Sequence, residues 1–392
     1  MTCMRARPSP GQRQSLPAEH GPGRIPERIP PLTATARPSR ESPRCEALPP
    51  RPQRGHWGAG IACAVFVAAA GAGCGSGGGA ASATPSEVTH TRPTVPVRSV
   101  AQLRGTRLQA VIRVGGAPNA PDWQAEGFGA VWVANSPKKA VQRIDPATNR
   151  VTAVVRIGAQ PCDGLATGFG SVWAVDCAGA LVRIDPSAGR VVARIPVTAE
   201  SDEGLIAAGE GGVWILSSLN VNHDALIRID PATNKVAGRV LVPFGSTAAA
   251  VGFGAVWVTT AAGSTVERVD PSTGKVVATI RVHEAPRFLA AGEGAVWVLN
   301  QSDGSVSRID PHMNQVTATI AVNVPGEGGC IAAGEGGVWV TMPGTPVSRV
   351  DPRRNVVTEQ FTGVGGDCIG TGFHSIWLSN HELGNVWRLS PH

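Results

Sequence analysis

GAVWVAN, Gly129 to Asn135, is the first of seven related stretches in a chain of 392 residues. Only 5% of the residues are aromatic and none is tyrosine, yet tryptophan returns in the same apolar setting every 38 to 43 residues. The seven positions are Trp132, Trp173, Trp214, Trp257, Trp297, Trp339 and Trp377. Self-similarity with such a period is typical of repeat proteins, in which each unit packs only against its neighbours.

Each repeat unit predicts four short strands. A strand of small residues leads through a Gly-x-Gly turn into the Val-Trp-Val strand, which is followed by a third strand such as VQRID and a fourth such as RVTAVVRIG. The turns between the third and fourth strands start with Asp-Pro and end with Asn or Gly, which accept a left-handed backbone conformation. We therefore expect hairpins with a bulge. The six turns begin at Asp145, Asp185, Asp230, Asp270, Asp310 and Asp351.

Four antiparallel strands in about 40 residues is the spacing of a β-propeller blade. The Trp strand is apolar on both faces, as expected for a sheet sandwiched between two others, so we interpret each tryptophan as a packing residue. The seventh unit stops at His392 without a fourth strand, whereas RLQAVIRVG, residues 107–115, matches the fourth strand of the other units. The sequence predicts an all-β, seven-bladed propeller over residues 105–392, with the last blade closed by the N-terminal strand.

An arginine occupies the same place on every third strand, and an aspartate follows two residues later in the first six units. One interpretation is a basic ring that binds ligands. We favour the other, a repeated ion pair between strand and turn, because residues i and i+2 share a strand face. The arginines are Arg143, Arg183, Arg228, Arg268, Arg308, Arg349 and Arg388.

The N-terminal part of the chain divides into three segments. Residues 1–50 are rich in Arg, Pro and Ser and form either a disordered extension or a stretch that precedes the true start of translation. Residues 51–74 have a charged flank, a short apolar core and a small-residue end, which are the features of a secretory signal. Their Ala-Gly-Cys end resembles a bacterial lipoprotein signal, which predicts lipidation of Cys74; ordinary secretion or an uncleaved anchor are the alternatives. Residues 75–104 are predicted to be a flexible linker.

The net charge of +6 does not indicate nucleic-acid binding. Residues 1–74 contain ten Arg and four acidic residues, whereas residues 75–392 contain 25 basic and 25 acidic residues. The electrostatic footprint that nucleic acids require is therefore missing from the predicted propeller. We expect a monomer outside the cytoplasm, membrane-bound only through its lipid anchor or else secreted, whose partner is a small ligand or a cell-envelope protein.

The repeat G-x-G-x-V-W-V followed by V-x-R-I-D-P-x-T-N resembles the streptogramin (virginiamycin B) lyase-like propellers and the YVTN-type surface propellers. The resemblance covers residues 105–392 and implies the fold more specifically than an activity. It implies a ligand- or protein-binding module, and we favour this over an enzyme. The alternatives are a metal-dependent lyase, which in that family opens a cyclic peptide antibiotic with histidines and a glutamate around magnesium, and a cell-surface scaffold without catalysis.

Loops that enter the inner strand and loops that leave the second strand share one face of a propeller, and we expect the binding site there. Ten residues before the tryptophans stand Asp122, Asp163 and Asp367, in blades that become neighbours when the ring closes. Three converging carboxylates would hold Ca²⁺ or Mg²⁺ at the channel mouth. Arg287 occupies the same place across the ring, and Trp123 could stack against a sugar or another flat ligand. Solvated acidic loops are the alternative.

The lyase hypothesis needs histidine near a carboxylate on the same face. The candidates are His223, the pair His283-Glu284 and the pair His381-Glu382. A histidine beside a glutamate can ligate a metal or act as a base. Solvated loop histidines are the alternative, and histidine is absent from the inner positions where the family pattern implies it.

The predicted propeller contains four cysteines, and we pair them by position. Cys162 and Cys177 are symmetric about the turn between two strands, so they should face each other across a hairpin. Cys330 and Cys368 both lie nine residues before a tryptophan, which predicts a bridge between adjacent inner strands. Disulfides would indicate an oxidising compartment, with buried free thiols as the alternative.

Overall fold

The computed structural model of the protein describes residues 95–197, 206–219 and 222–392. The predicted extension, the signal peptide with Cys74 and most of the predicted linker lie outside these residues. Within them, no helix is both long enough and apolar enough to cross a membrane.

Three elements precede the first blade: β1 (Val97–Ser99), α1 (Val100–Thr106) and β2 (Leu108–Arg113). Blade one consists of β3 (Gln124–Gly127), β4 (Ala130–Asn135), β5 (Ala140–Asp145) and β6 (Arg150–Arg156). Blade two consists of β7 (Pro161–Gly168), β8 (Ser171–Asp176), β9 (Ala180–Asp185) and β10 (Arg190–Pro196). Blade three consists of β11 (Ala207–Gly209), β12 (Gly212–Ser218), β13 (His223–Asp230) and β14 (Lys235–Pro243).

Blade four consists of β15 (Ser246–Gly252), β16 (Ala255–Thr260), β17 (Thr265–Asp270) and β18 (Lys275–Arg281). Blade five consists of β19 (Pro286–Gly292), β20 (Ala295–Asn300), β21 (Ser305–Asp310) and β22 (Gln315–Ala321). Blade six consists of β23 (Cys330–Gly334), β24 (Gly337–Met342), β25 (Thr345–Asp351) and β26 (Val356–Thr362). Blade seven contains β27 (Ile369–Gly372), β28 (Ser375–Asn380) and β29 (Asn385–Leu389).

The N-terminal strand β2 completes blade seven, as predicted. It pairs antiparallel with β29, and Leu108 lies opposite Leu389 while Ile112 lies opposite Val386. The sheet order β2-β29-β28-β27 gives this blade its four strands. The seven-bladed propeller with this closure is therefore confirmed.

The folded region begins before residue 105, so the predicted linker is too long at its C-terminal end. β1 adds to the outer edge of blade six, where Val97 lies parallel to and opposite Gln360. Ser99 then caps α1 in a capping box with Gln102, and Leu103 is buried against the core. The capping box, Ser with Gln three residues later, was present in the sequence as a helix start signal.

The seven tryptophans of the repeat are buried, with at most 1% of their surface exposed, which confirms their packing role. Each indole Nε1 donates to the carbonyl of the glycine five residues before it, at 3.0–3.2 Å. These glycines also let adjacent inner strands approach closely. A Cβ on Gly292 would lie 2.5 Å from the Ala333 carbonyl oxygen of the next blade.

The turns between the third and fourth strands adopt the predicted bulged hairpin. In blade one the Asn149 N–H donates to the Asp145 carbonyl at 2.8 Å, Asn149 has a φ of 56°, and the pairing register shifts between Arg143 and Ile144. The Asp145 side chain accepts the Ala147 N–H at 2.8 Å. That hydrogen bond, followed by the Thr148 hydroxyl, lowers the pKa of Asp145.

The predicted ion pair between the repeated arginine and aspartate is not formed as a direct contact among the described residues; in four blades the arginine charge only helps to lower the aspartate pKa, behind the hydrogen bonds of the turn. Six of the seven guanidinium groups lie over the tryptophan of their own blade, 5.1–5.6 Å from the ring centroid. Arg183 then reaches the next blade, where it donates to the Pro231 carbonyl at 2.6 Å and to Asn234 Oδ1 at 2.9 Å. The aspartate accepts hydrogen bonds from its own turn, and Arg183, Arg228, Arg268 and Arg388 instead bond to the turn of the next blade.

Candidate functional site

The channel of the propeller is closed at the predicted mouth by two aromatic rings. Trp123 of blade one and Phe288 of blade five meet edge to face, with ring centroids 5.7 Å apart and an interplanar angle of 63°. These blades are not neighbours in the ring, so the contact crosses the channel. Trp123 is 4% exposed and Phe288 1%, and stacking of a ligand on Trp123 therefore stays a prediction that requires its ring to be uncovered.

Charged residues directly precede both rings. Asp122 precedes Trp123 and is held at the mouth by its N–H, which donates to the Ala134 carbonyl at 3.3 Å. Arg287 precedes Phe288, and its guanidinium carbon lies 5.4 Å from the centroid of that ring. Both side chains are partly exposed. At the mouth two partly exposed charged residues therefore stand next to an apolar ring contact, a combination of groups that small-molecule sites commonly use.

The structure describes the side chains of only two of the three predicted metal-binding aspartates, Asp122 and Asp367. Asp163 lies on β7, and its side chain is outside the described residues. Asp367 lies at the end of the loop before β27 and is paired with His381, whose Nδ1 is 2.9 Å from Asp367 Oδ1. Among the side chains that are described, no group of three His, Cys, Asp or Glu is close enough to hold a metal ion. Convergence of the three aspartates stays a prediction.

The candidate histidines are spread over three blades. His283 Nδ1 lies 2.7 Å from Asp303 Oδ2 in blade five, a partner that the sequence analysis missed. His381 pairs with Asp367 in blade seven, so the structure joins one candidate base to one candidate metal ligand. His223 is exposed at the start of β13 in blade three, and Glu284 and Glu382 are exposed beside their histidines.

Both predicted disulfides are present. The Cα atoms of Cys162 and Cys177 are 5.2 Å apart, and those of Cys330 and Cys368 are 4.9 Å apart. The second bridge joins the inner strands of blades six and seven, nine residues before the tryptophan, which is also the place of Trp123 and Phe288 in their blades. It therefore adds a covalent link beside the aromatic floor of the mouth.

Glu126 is a partly buried residue with a buried carboxyl oxygen, which the sequence analysis missed. Its carboxyl group points at blade seven, where a Cβ on Gly370 would lie 2.1 Å from Glu126 Oε1. Oε1 is buried and has no hydrogen-bond partner within the described residues. On the same face of β3, Gln124 Nε2 donates to the Trp377 carbonyl at 2.6 Å. The interface between the first and last blades is thus more polar than an interface formed only by the apolar residues of the repeat.

A comparison of equivalent positions in the repeat could have identified this pair. Six residues before the tryptophan, where blade one has Glu126, the other blades have Thr167, Ala208, Val251, Ala291, Ala333 and Thr371. Seven residues before it, where blade seven has Gly370, the others have Ala125, Ala166, Ala207, Ala250, Ala290 and Ala332. The single large acid therefore faces the single missing methyl group. Burial raises the pKa of Glu126 from 4.5 to about 8, and a backbone hydrogen bond only partly offsets that rise.

Comparison with known proteins supports the fold. A streptogramin B lyase structure is 17% identical, with a TM-score of 0.60 over 72% of this chain and 96% of the lyase chain. U3-55K is 10% identical, with a TM-score of 0.59 over 72% of this chain and 98% of its own. The WD40 domain of Neurospora crassa Pan2 is 12% identical, with a TM-score of 0.53 over 70% of this chain and 90% of its own. No family model and no curated protein matches the sequence. At these identities the likeness extends to the propeller fold alone.

Proposed function

We propose that this propeller is a binding module that works outside the cytoplasm, anchored to the membrane through a lipid on Cys74. It binds a small ligand or a cell-envelope protein at the mouth of its channel. The observation that carries the proposal is the Trp123–Phe288 contact, which sets an apolar surface across the channel next to the charged residues Asp122 and Arg287. The two disulfides support an oxidising location.

A divalent cation is part of this proposal. Asp122, Asp163 and Asp367 would supply carboxylate oxygens of the kind that Ca²⁺ prefers, with loop carbonyls and water completing the shell. Magnesium would use the same carboxylates with more water. A cation there would lower the negative charge of the mouth and give an anionic ligand a contact that Arg287 alone does not provide.

Calcium titration tests the cation. We expect the wild type to give a saturable heat with calcium chloride, with a dissociation constant of about 10⁻⁴ to 10⁻³ M as in other extracellular modules. Asp122→Ala combined with Asp163→Ala removes two of the three carboxylates and should weaken binding at least about tenfold. Glu327→Ala removes an exposed acid from another loop that enters an inner strand, and it should bind calcium as the wild type does.

Flat traces for the wild type, or equal binding by the double variant, would reject the calcium site. A protein that binds neither a divalent cation nor a small ligand nor a cell-envelope protein at the mouth would be a structural scaffold of the cell surface.

A second candidate function is a lyase that resembles streptogramin B lyase. It is favoured by the His381–Asp367 pair, because a carboxylate that orients an imidazole makes it an effective base. Incubation with a streptogramin B followed by mass spectrometry should then detect the linear product, and His381→Ala should lower its rate about 100-fold or more. Unchanged antibiotic after incubation with the wild type would exclude this activity.

A further inference from the structure

The face opposite the mouth has a repeated joint between neighbouring blades. There, an arginine of one blade donates to the prolyl carbonyl in the turn of the next. The joint is formed by Arg183 with Pro231 at 2.6 Å, Arg228 with Pro271 at 3.2 Å and Arg388 with Pro146 at 2.5 Å. In these joints the guanidinium also lies over the tryptophan of its own blade.

Arg143 of blade one does not make this joint, and among the described residues neither do Arg268, Arg308 and Arg349. The NH1 of Arg143 donates to Thr152 Oγ1 of its own blade at 2.7 Å. Among the described residues it makes no other hydrogen bond, and it is the one arginine of the repeat that does not lie over its tryptophan. Four of its five N–H donors make no hydrogen bond to the described residues, and the Asp145 carboxylate of the same blade interacts with its charge only at longer range.

The neighbouring turn explains part of this difference. Blade two ends its turn with Gly189, whereas four of the other turns end with asparagine. Asn234 and Asn149 each accept a hydrogen bond from the arginine of the preceding blade, at 2.9 and 3.0 Å. Glycine has no side-chain acceptor, so Arg143 lacks the contact that Arg183, Arg268 and Arg388 make with an asparagine of the next turn.

The result is a pocket of about 470 Å³ between blades one and two. It is lined by Phe128, Arg143, Thr152, Ala153 and the turn at residues 186–189. The Phe128 side chain is 44% exposed, and its backbone is held in the left-handed region at a φ of 53°. No acidic side chain lines the pocket, and its volume lies in the range of small-molecule sites.

We propose that this pocket binds a small organic anion that carries a flat apolar group. The guanidinium of Arg143 would pair with the phosphate or carboxylate, because its planar donors match two oxygens at once. Phe128 would pack against the flat part, and Thr152 keeps the guanidinium turned towards the pocket. The site lies on the face opposite the mouth, so it does not depend on the proposed function there.

Phenyl phosphate is a suitable probe, since it combines both chemical features. Titration followed by NMR should shift the Arg143 Nε–H resonance and the amide resonances of residues 187–189, with saturation at millimolar concentration. Inorganic phosphate, which lacks the ring, should bind about tenfold more weakly. Arg143→Gln should weaken phenyl phosphate binding at least about tenfold.

Gly189→Asn provides a second and independent variant. Gly189 has a φ of 61°, close to the 56° of Asn149, and a Cβ there has its nearest neighbour 4.0 Å away. The new amide should draw Arg143 into the arrangement that Arg183 and Arg388 make with a proline and an asparagine of the next turn, close the pocket and weaken the probe about tenfold or more. The control is Gly274→Asn at the same place in blade four, where Arg228 already makes the joint; it should bind the probe as the wild type does.

The proposal is overturned if phenyl phosphate shifts none of these resonances. It is also overturned if Arg143→Gln and Gly189→Asn both bind the probe with wild-type affinity.

Discussion

Glu126→Gln should make the protein more stable than the wild type above neutral pH, with a difference that grows as the pH rises. Burial raises the pKa of Glu126 from 4.5 to about 8 in the folded state, so the carboxyl group keeps its proton there while the unfolded chain loses it. Between these two values the folded state binds more protons than the unfolded state, and the free energy of unfolding falls as pH increases. Glutamine has nearly the same shape and never ionises, so it removes this loss.

The size of the stability difference follows from the pH range between the two pKa values of Glu126, in the unfolded and in the folded state. Each pH unit between about 4.5 and 8 costs the wild type about 1.4 kcal/mol, so the total above pH 8 is on the order of a few kcal/mol. Below about pH 4.5 the carboxyl group is neutral in both states, and the two proteins should differ little. Urea unfolding at a series of pH values from 5 to 9 would measure the difference.

Glu293→Gln is the matched control. The Glu293 carboxylate accepts the Gly336 N–H of the next blade at 3.0 Å, so it is already hydrogen-bonded, in contrast to Glu126 Oε1. Its profile should run parallel to that of the wild type. A Glu126→Gln profile that also stays parallel to the wild type from pH 5 to 9 would show that Glu126 titrates normally in the folded protein.

Ile112→Asp should destabilise the whole ring, because Ile112 lies on the strand that closes it. The residue is 3% exposed, lies opposite Val386 and belongs to a buried cluster with Val131 of blade one and Trp377 of blade seven. Aspartate there loses the apolar burial and places an unpaired charge among apolar groups. We expect a loss of about 4 kcal/mol or more in the free energy of unfolding.

Val111→Asp is the control from the adjacent position of the same strand. Successive side chains on a strand point to opposite faces, and Val111 is 41% exposed. Its replacement should cost less than about 1 kcal/mol. Equal losses in thermal or urea unfolding for the two variants would mean that β2 is not packed into blade seven in solution.

Much of the fold was predictable because each repeat states the same local rule. Val131, Trp132 and Val133 are apolar in succession, which requires two covered faces, and the Asp-Pro turns set the hairpins independently in each unit. The match of residues 107–115 to the fourth strand predicted the closure, and the equivalent places of Cys330 and Cys368 predicted their bridge. The strands, turns, closure and disulfide depend on residues close in sequence or on equivalent positions of the repeat. One amino-acid sequence is therefore enough to predict them.

The candidate site was predictable only in outline. The sequence placed Asp122, Arg287 and Asp367 at one face, but it could not show that Trp123 and Phe288 touch across the channel, since nothing local relates blade one to blade five. The sequence also could not predict the hydrogen-bond partners of the repeated arginines. An aspartate stands two residues after each of the first six, as Asp145 does after Arg143, yet Arg183 bonds to the turn of the next blade.

The repeat by itself determined the number of blades, the order of the strands and the pairing of the cysteines, because spacing along a strand is a local property and Cys330 and Cys368 hold the same place in adjacent repeats; apart from that bridge, contacts between blades were not predictable in this way. Only the tertiary structure decided which side chains meet between blades. Those contacts determine the closed mouth, the raised pKa of Glu126 against Gly370 and the open pocket beside Arg143. They arise where a residue of one blade differs from its equivalents in the repeat and a smaller residue of the neighbouring blade leaves space for it. These two residues come together only when the blades pack into the ring.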